Sequence, residues 1–341
     1  MKKRIVSLLL VMAMAGSCIG LTACGSTPAS EEAAPAEEGV AAGEETESDT
    51  ESETAAEDTL NFVYFVSHME NEFQSQLVAA VTESAEEKGI NLTVVSADKD
   101  PAKQVSQIEN AIAAGNLNGA LIQATSADGV TAGVLALKEA GVPTITLHEA
   151  ITAQEEVTSY VGPDLPTIGL IVMEHVCEEL EGKGDIAILV GVMGNSVQVS
   201  IAESYDKILA DYPDINVVFR DTANWETDEA LSKVENWLST GKHIDTIVCM
   251  NDSMAIGAMQ AVNSAGETGN IKIYGSDAVE QAVTAVKNKE MTGTVYFDVA
   301  EEGKAAIDTL YAAANGESVE AEVLMPPTLV TESNINELFP D

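Results

Sequence analysis

From about residue 60 onward, the sequence predicts an α/β fold of two doubly wound parallel-sheet lobes. Short apolar and β-branched runs alternate with helix-like stretches about every thirty residues, which is the order of a parallel sheet covered by helices on both faces. The alternation restarts after Val157–Val161, so a junction is expected near Gly162 and Pro163. About 280 residues in this part of the chain also suit two lobes better than one core.

Each element of the first lobe has a local reason. A strand is predicted at Leu60–Val66, and the helix at Phe73–Lys88 ends where Gly89 permits a left-handed cap. Asp100 and Pro101 start a second helix, because Asp caps an N-terminus and Pro is tolerated in the first turn. The remaining elements are strands at Ile90–Ser96, Gly119–Gln123 and Val142–Leu147 and a helix from Ser126 to Gly141.

The second lobe repeats the same order of strand and helix. Its strands are predicted at Asp185–Val190, Asn216–Arg220, Ile244–Cys249 and Ile271–Gly275. Its helices are predicted to begin near Leu165, Ser196, Trp225, Ser253 and Val279. In doubly wound sheets, small molecules bind beyond the carboxyl ends of the strands, so the residues at those ends are the candidates for a site.

Polar and aromatic side chains follow these strand ends. In the first lobe they are Asn71, Phe73, His148 and Glu149, and in the second they are Asn195, Trp225, Asn251 and Asp277. Aromatic rings can cover the C–H faces of a sugar while amide and carboxylate groups pair with its hydroxyls. The two sets therefore predict a crevice between the lobes that suits a sugar-like molecule. Asp252, directly after Asn251, is expected to cap the helix that follows it.

The first residues of the chain indicate export. Met1–Arg4 is positively charged, and Ile5–Leu21 is an apolar run too short for a comfortable membrane span. Residues 1–23 are therefore typical of a secretory signal peptide. The stretch Leu21–Gly25 resembles the lipobox of bacterial lipoproteins, and this resemblance implies that Cys24 is lipidated and becomes the mature N-terminus.

An acidic segment separates Cys24 from the predicted lobes. Gly25–Thr59 contains twelve acidic residues and no aromatic residue, Lys or Arg. Such a composition cannot bury enough apolar surface to offset the entropy of ordering. Residues 24–59 are therefore predicted to be a disordered tether between the lipid and the lobes, of a kind common in Gram-positive lipoproteins.

The charge of the remaining chain limits its partners. From Leu60 onward there are 44 acidic residues against 13 Lys and Arg. So negative a surface argues against nucleic acid and disfavours an anionic ligand. Only Cys177 and Cys249 remain in this part, each beside an apolar stretch, and they are expected to be buried free thiols, with a disulfide as the alternative.

Four short blocks in the second lobe follow one another at near-constant spacing. They are Thr222–Thr227, Asn251–Ala258, Tyr274–Ala278 and Gly293–Val295. Together they resemble the type I periplasmic binding proteins of the ribose- and galactose-binding group, over Leu60 to about Thr331. This resemblance implies two α/β lobes joined by a three-segment hinge and a ligand held between them.

The resemblance also implies roles for single residues. Phe73 and Trp225 fall where the family sandwiches a sugar ring between two aromatic side chains. The positions that match polar ligand contacts are Asn71 and His148 in the first lobe and Asn251 and Asp277 in the second. Glu149 is the weaker member of the His148–Glu149 pair, and His68 is expected to point away from the cleft because alternate residues face opposite ways.

Two departures from the family pattern affect the site. Phe297 stands where the family usually has Gln or Asn, so a hydrogen bond is expected to be absent there. The family also places an Arg at a helix start where Val199 and Ile201 occupy the candidate positions here. Gln198 and Asn195 are the candidates to replace that Arg, and the ligand is not expected to be ribose or galactose in the usual pose.

By the same resemblance the chain crosses between the lobes three times. The crossings are expected near Gly162–Pro163, Phe297–Asp298 and Met325–Pro327. The first lobe would then contain residues 60–163 and 298–324. The second would contain residues 164–297 and 325–341.

No catalytic, cofactor or metal site is predicted. The sequence has no Gly-Xaa-Ser-Xaa-Gly elbow, no phosphate-cradling Gly-rich loop and no Cys/His metal spacing. His175 and Glu179 could share a metal on one helix face, but Glu174 and Glu178 beside them indicate a solvated acidic face.

The function predicted is therefore capture rather than catalysis. The chain is interpreted as the lipid-anchored, extracellular solute-binding protein of an ABC importer, with a small neutral sugar or polyol as ligand and the permease and ATPase subunits as partners. Two alternatives remain open. One is a sensor subunit that presents a sugar or autoinducer to a membrane receptor, and the other is a nucleoside-binding protein in which Phe73 and Trp225 stack on a base.

Overall fold

The computed structural model describes residues 59–340 of the chain. The signal peptide, Cys24 and the acidic tether predicted from the sequence lie outside these residues, except for Thr59 at the end of the tether. The first part contains β1 Asn61–Val66, α1 Glu72–Glu87, β2 Asn91–Ser96, α2 Pro101–Ala114, β3 Gly119–Ile122, α3 Thr131–Glu139, β4 Thr144–Leu147 and β5 Ser159–Pro163. The second contains α4 Leu165–Glu179, β6 Lys183–Val190, α5 Ser196–Leu209, β7 Asp214–Thr222, α6 Thr227–Ser239, β8 Thr246–Cys249, α7 Asp252–Ser264, β9 Lys272–Tyr274, α8 Glu280–Lys287 and β10 Gly293–Tyr296. The chain ends with α9 Val299–Ala314, β11 Glu322–Met325, β12 Thr328–Thr331 and α10 Ile335–Leu338.

The strands form two six-stranded sheets. The first has the order β11-β5-β4-β3-β1-β2 and the second β12-β10-β9-β8-β6-β7. All neighbours are parallel except β10 and β12, which are antiparallel. Strands such as β3, β4 and β8 are buried along their whole length, as expected when helices cover both faces. The predicted fold of two parallel-sheet lobes is confirmed.

The chain passes from one sheet to the other three times. It leaves the first sheet after β5, returns through α9 after β10, and leaves again between β11 and β12, where Pro326 and Pro327 join the two strands. The helix α9 packs against α1 and over β3, β4 and β5. Gly303 permits this close approach, since a Cβ there would lie 2.6 Å from the Cβ of Ala80.

Two helix starts differ from the sequence-based expectation. The helix α3 begins at Thr131 rather than Ser126, because Ser126 Oγ accepts a hydrogen bond from the Gly129 backbone N–H and closes a turn instead. The helix α6 begins at Thr227 rather than Trp225. Asn224 and Trp225 have φ values of 51° and 69°, so both are left-handed and cannot belong to a right-handed helix.

The two remaining cysteines are free and buried, as predicted. No helix among residues 59–340 combines the length and the apolar composition needed to cross a membrane. Within the same residues, no group of three or more His, Cys, Asp or Glu side chains is arranged to hold a metal ion.

Candidate functional site

A small cavity lies between the carboxyl ends of the two sheets. Its volume of about 40 Å³ is far below the roughly 300–1,000 Å³ of typical small-molecule pockets. It is lined by His68, Asn71, Phe73, Gln74, His148, Glu149, Val197, Trp225, Met250, Asn251 and Asp277. Because both lobes contribute to this lining, the volume depends on how far the lobes are apart.

An aromatic group lies at the start of α1, formed by Phe73 and His148 of the first lobe and by Phe297, which follows β10 of the second sheet. Asn71 caps this helix, with its side-chain oxygen accepting a hydrogen bond from Gln74 N at 3.0 Å, and the cap fixes Phe73 in the first turn. The ring of Phe73 lies 4.6 Å from that of His148 and 6.0 Å from that of Phe297, measured between centroids. The imidazole therefore faces the cavity with phenyl rings on two sides.

An unusual backbone holds His148 in this place. Its φ is 64°, and its backbone N–H donates a hydrogen bond to the carbonyl oxygen of Val161 in the neighbouring strand β5. Gly162 makes room for this turn, because a Cβ there would lie 2.9 Å from the Cα of His148. The Nδ1 atom of His148 lies 3.1 Å from Oε1 of Glu302, a fully buried residue in the first turn of α9. Burial lowers the pKa of His148, but the charges of Glu302 and Glu149 outweigh it, and the pKa is raised.

Glu149 is also buried, and this controls its charge. Burial raises its pKa to about 7, although the neighbouring His148 and a hydrogen bond from Asn195 act in the opposite direction. Its Oε2 has no hydrogen-bond partner among the described residues. Asn195 also caps α5, accepting from Val197 N and Gln198 N. The carboxyl group of Glu149 can therefore either accept or donate a hydrogen bond near neutral pH.

The second lobe contributes Trp225. Its indole lies directly on the backbone of Gly191, where a Cβ would be only 1.9 Å from Cζ2 of the ring. Its left-handed backbone follows from a local turn in which Thr222 Oγ1 donates to Asn224 Oδ1 at 3.0 Å. Asn251 Nδ2 donates to the carbonyl of Trp225 at 3.4 Å and joins the aromatic residue to α7. Because Gly191 has no side chain, one face of the indole packs on its backbone, and the other face is left for the cavity.

The prediction that Asp252 caps its own helix is wrong. Asn251 is the cap of α7, with its side-chain oxygen accepting from Met254 N at 3.0 Å. Asp252 is wholly buried instead, and its carboxyl group accepts from Val279 N at 3.0 Å and from Thr294 Oγ1 at 2.7 Å. It thereby ties α7 to the start of α8 and to β10. This position was missed because the partners come from distant parts of the chain.

The carboxyl group of buried Asp252 lies close to that of half-buried Asp277. Burial raises the pKa of Asp252 to about 8, against the lowering effect of Thr294 and the backbone N–H of Val279. Burial and the charge of Asp252 both raise the pKa of Asp277. Asp277 has a φ of 119°, and its N–H donates to Val295 O, which holds its side chain at the cavity.

Seven of the ten predicted contact residues line the cavity: Asn71, Phe73, His148, Glu149, Trp225, Asn251 and Asp277. Asn195 lines a smaller adjoining cavity with Lys99 and Glu149. Gln198 and Phe297 are buried outside the lining; Gln198 Oε1 accepts from Gly194 N, and the Phe297 ring lies 5.5 Å from that of His148.

Four lining residues were missed from the sequence: His68, Gln74, Val197 and Met250. The expectation that His68 points away is wrong; its Nδ1 lies 2.9 Å from Ser67 Oγ, and burial lowers its pKa to about 4. At the start of α5, Val197 faces the cavity, whereas Val199 is exposed and Ile201 lies in the core. Val197 is the second residue after the helix cap Asn195, so it belongs to the first turn of α5. This position relative to the cap is the signal that could have identified it from the sequence.

Contacts between the lobes lie beside the cavity. Lys99, in the loop after β2, pairs with Glu70 at 2.8 Å and with Glu226, which precedes α6. Glu72 Oε1 accepts from the backbone N–H of Glu280 at 3.1 Å, so the first turn of α1 meets the first turn of α8. These contacts join the two lobes in a closed arrangement.

Three comparisons with known proteins agree with this architecture. A protein of Mycolicibacterium smegmatis named xylitol-binding protein is 34% identical over 253 residues, which cover 74% of this chain and 72% of that protein. The ribose import binding protein of Bacillus subtilis is 27% identical over 78% of this chain and 86% of its own. A solved ABC transporter solute binding protein of Bacillus halodurans with bound myo-inositol superposes with a TM-score of 0.79 at 29% identity, covering 82% of this chain and 97% of that one.

The family model described as periplasmic binding protein domain matches residues 62–318. This range includes all of the described residues that line the cavity. The sequence-based prediction of a solute-binding protein rather than an enzyme is thereby confirmed. The chain belongs to the periplasmic binding protein family, with the type I fold of the ribose-binding group.

Proposed function

We propose that this protein captures a small neutral sugar or polyol between its lobes and delivers it to the permease and ATPase subunits of an ABC importer. The observation that carries the proposal is the pair of aromatic residues, Phe73 and Trp225, which face one cavity from opposite lobes. Amide and carboxyl groups around them supply the hydrogen bonds that hydroxyl groups need. The relatives named for xylitol and ribose and the structure with myo-inositol support this class of ligand.

The charges of the lining residues favour a neutral ligand. Within residues 59–340, no Lys or Arg lines the cavity, whereas Glu149 and Asp277 do. Lys99 lies in the adjoining cavity, but its ammonium is engaged by Glu70 and Glu226. An anion would be buried next to carboxyl groups without a free cation to pair with, which is costly.

A screen of matched ligands tests this proposal. Xylitol, myo-inositol and ribose should raise the melting temperature when they bind, because ligand that binds only the folded state stabilises it by mass action. Ribose 5-phosphate and xylonate are the acidic partners, and we expect neither to bind more tightly than its neutral counterpart. Tighter binding of the acidic members would contradict the proposal, and a shift with nucleosides alone would favour the nucleoside-binding alternative.

We propose that ligand binding closes the lobes about the three chain crossings near Gly162–Pro163, Phe297–Asp298 and Met325–Pro327. The lobes would comprise residues 60–163 with 298–324 and residues 164–297 with 325–341. A sugar exceeds the cavity volume of about 40 Å³, so entry requires the lobes to separate. Ligand contacts from both lobes would then shift the equilibrium toward the closed state.

Lys99 should stabilise that closed state. Replacing it with Met keeps the aliphatic stem but removes the charge that joins Glu70 to Glu226. Partly exposed ion pairs are worth little, so we expect dissociation of a bound polyol to accelerate about twofold to fivefold. Stopped-flow fluorescence measures this rate. Lys103→Met is the matched control, because Lys103 pairs with Asp98 in the same lobe; an equal acceleration in both variants would contradict a role in closure.

For the N-terminal residues we propose a cleaved signal peptide, lipid attachment at Cys24 and an acidic tether, which would hold the protein at the outer face of a Gram-positive membrane. Among residues 59–340, those that line the cavity fall between His68 and Asp277, and the acidic segment has too little apolar surface to pack against them. A protein that begins at Leu60 should therefore bind its polyol with unchanged affinity in calorimetry. A clear loss of affinity would mean that the acidic segment contributes to the site.

A further inference from the structure

His148 and Glu302 form a buried pair whose protons can be distributed between the two side chains in more than one way. Glu302 Oε1 lies 3.1 Å from His148 Nδ1, and Oε2 has no hydrogen-bond partner among the described residues. Both residues are buried, Glu302 completely. A buried carboxylate with a single neutral partner would leave an uncompensated charge inside the protein, which is strongly unfavourable.

Three protonation states of the pair are possible. In the first, a carboxylate faces an imidazolium; in the second, a carboxylic acid donates to Nδ1 of a neutral ring. Both states have no net charge, and both carry a proton on Nε2 of His148. In the third, a neutral ring donates from Nδ1 to a carboxylate, so that Nε2 is an acceptor and the pair keeps a buried negative charge. Burial therefore favours the two states that have Nε2–H.

The titratable groups around the pair of His148 and Glu302 also favour retention of its proton. The titratable groups around the pair are Tyr64 on β1, Glu149 after β4, Tyr160 on β5 and Asp277 after β9. Burial is the largest cause that raises the pKa of Tyr64 and Tyr160, and the charges of Glu302 and Glu149 raise both further. None of these four groups is a cation, so none repels the proton held by the pair.

We propose that Glu302 is a positioning residue that keeps a proton on the pair and so makes Nε2 of His148 a hydrogen-bond donor toward the cleft. Glu302 occupies Nδ1, and His148 lines the cavity, which leaves Nε2 for the ligand. The described part of the cavity lining contains no Lys or Arg, so this ring supplies a strong donor that can act on a hydroxyl oxygen. The inference rests on the proposed function for its ligand, but the protonation itself is a property of the free protein.

NMR of the unliganded protein tests the protonation directly. The chain has four His residues, so ¹⁵N-labelled imidazole signals are few, and His148→Asn identifies the signal of this ring. We expect Nε2 to stay protonated from pH 6 to pH 8 in the wild type. In Glu302→Gln, protonation of the ring to imidazolium should require a pH below that of the wild type. An unprotonated Nε2 in the wild type at pH 7 would overturn the proposal.

A double-mutant cycle tests the consequence for binding, with xylitol and myo-inositol as probes. We expect Glu302→Gln to lower the affinity for whichever probe binds by about threefold to thirtyfold, since hydrogen bonds to charged groups are worth more than neutral ones. In a His148→Asn background, where the amide donates without help, Glu302→Gln should have little further effect. Glu301→Gln, in the exposed part of the same helix turn, is the matched control. Equal losses in both backgrounds would show a merely structural role and overturn the proposal.

The two readouts also separate this inference from the proposed function. If neither polyol binds the wild type, the proposed ligand class fails, while the NMR experiment still decides the protonation of His148. If a polyol binds and Nε2 lacks a proton, the proposed function stands and the inference fails.

Discussion

Replacing Trp225 with Ala should weaken binding of the preferred polyol at least about tenfold, while the protein remains folded. A stacking aromatic contributes on the order of 1 kcal/mol beyond its buried area, and loss of that area adds to this. The two lobes would then meet the ligand with only one aromatic face, that of Phe73. Isothermal calorimetry measures the affinity, and circular dichroism checks the fold.

The chain offers sharp controls for this experiment. It contains two Trp residues, and the second, Trp237, is stacked on Phe219 at a centroid distance of 5.2 Å, away from the cavity. Trp237→Phe should therefore leave the affinity unchanged. Gly191→Ala should reproduce the loss with the indole still present, because the new Cβ would lie 1.9 Å from the ring and displace it. Unchanged affinity in Trp225→Ala would mean that the pocket has been assigned wrongly.

The largest effect on stability is expected at Asp252. Replacing it with Ala leaves the buried N–H of Val279 and the hydroxyl of Thr294 without their acceptor. Leaving several buried polar groups unsatisfied costs about 3 kcal/mol or more in the free energy of unfolding. Urea denaturation should show a much lower midpoint. Thr294→Val removes a single partner and should lower the free energy of unfolding by less; equal losses would contradict the central role given to Asp252.

The same carboxyl group predicts a pH dependence. Its pKa is about 8 in the folded protein and about 3.9 in an unfolded chain. The folded state therefore binds more protons between these values, and stability falls as the pH rises from about 4 to about 8. The pKa of Glu149, about 7, acts in the same direction, whereas His68, with a pKa of about 4, acts oppositely below pH 6.5. Asp252→Asn should flatten the decline between pH 6.5 and pH 8; an unaltered decline would contradict this assignment.

Local signals made much of the fold and the site predictable. Strands followed from apolar runs, and Asp100 and Pro101 marked the start of α2, where Asp100 caps the helix as predicted. Phe73 and Trp225 could be assigned to one cleft because the carboxyl ends of parallel strands meet at one edge. These inferences use neighbours within a few residues, where the sequence pattern is most informative.

Features that depend on distant residues were not predictable. Glu302 contacts His148 across 154 positions of sequence, and only the packing of α9 on α1 brings them together. The start of α6 was misplaced because Asn224 and Trp225 have a left-handed backbone, and the carbonyl of Trp225 accepts a hydrogen bond from Asn251, 26 positions away. The role of Asp252 required knowledge of β10, and nothing in its local sequence distinguishes a helix cap from a residue that joins three elements.

The route of the chain also bears on how the protein folds. Five strands of the first sheet come from residues 61–163, but the helix that covers β3, β4 and β5 comes from Val299–Ala314, and the edge strand β11 follows it. During synthesis, the part of the first sheet over β3, β4 and β5 that α9 covers must therefore remain uncovered until the second sheet's five parallel strands have emerged. Contacts of such high sequence separation form slowly. The second lobe should consequently become ordered first, and the buried partner of His148 should reach its place in the last stage of folding.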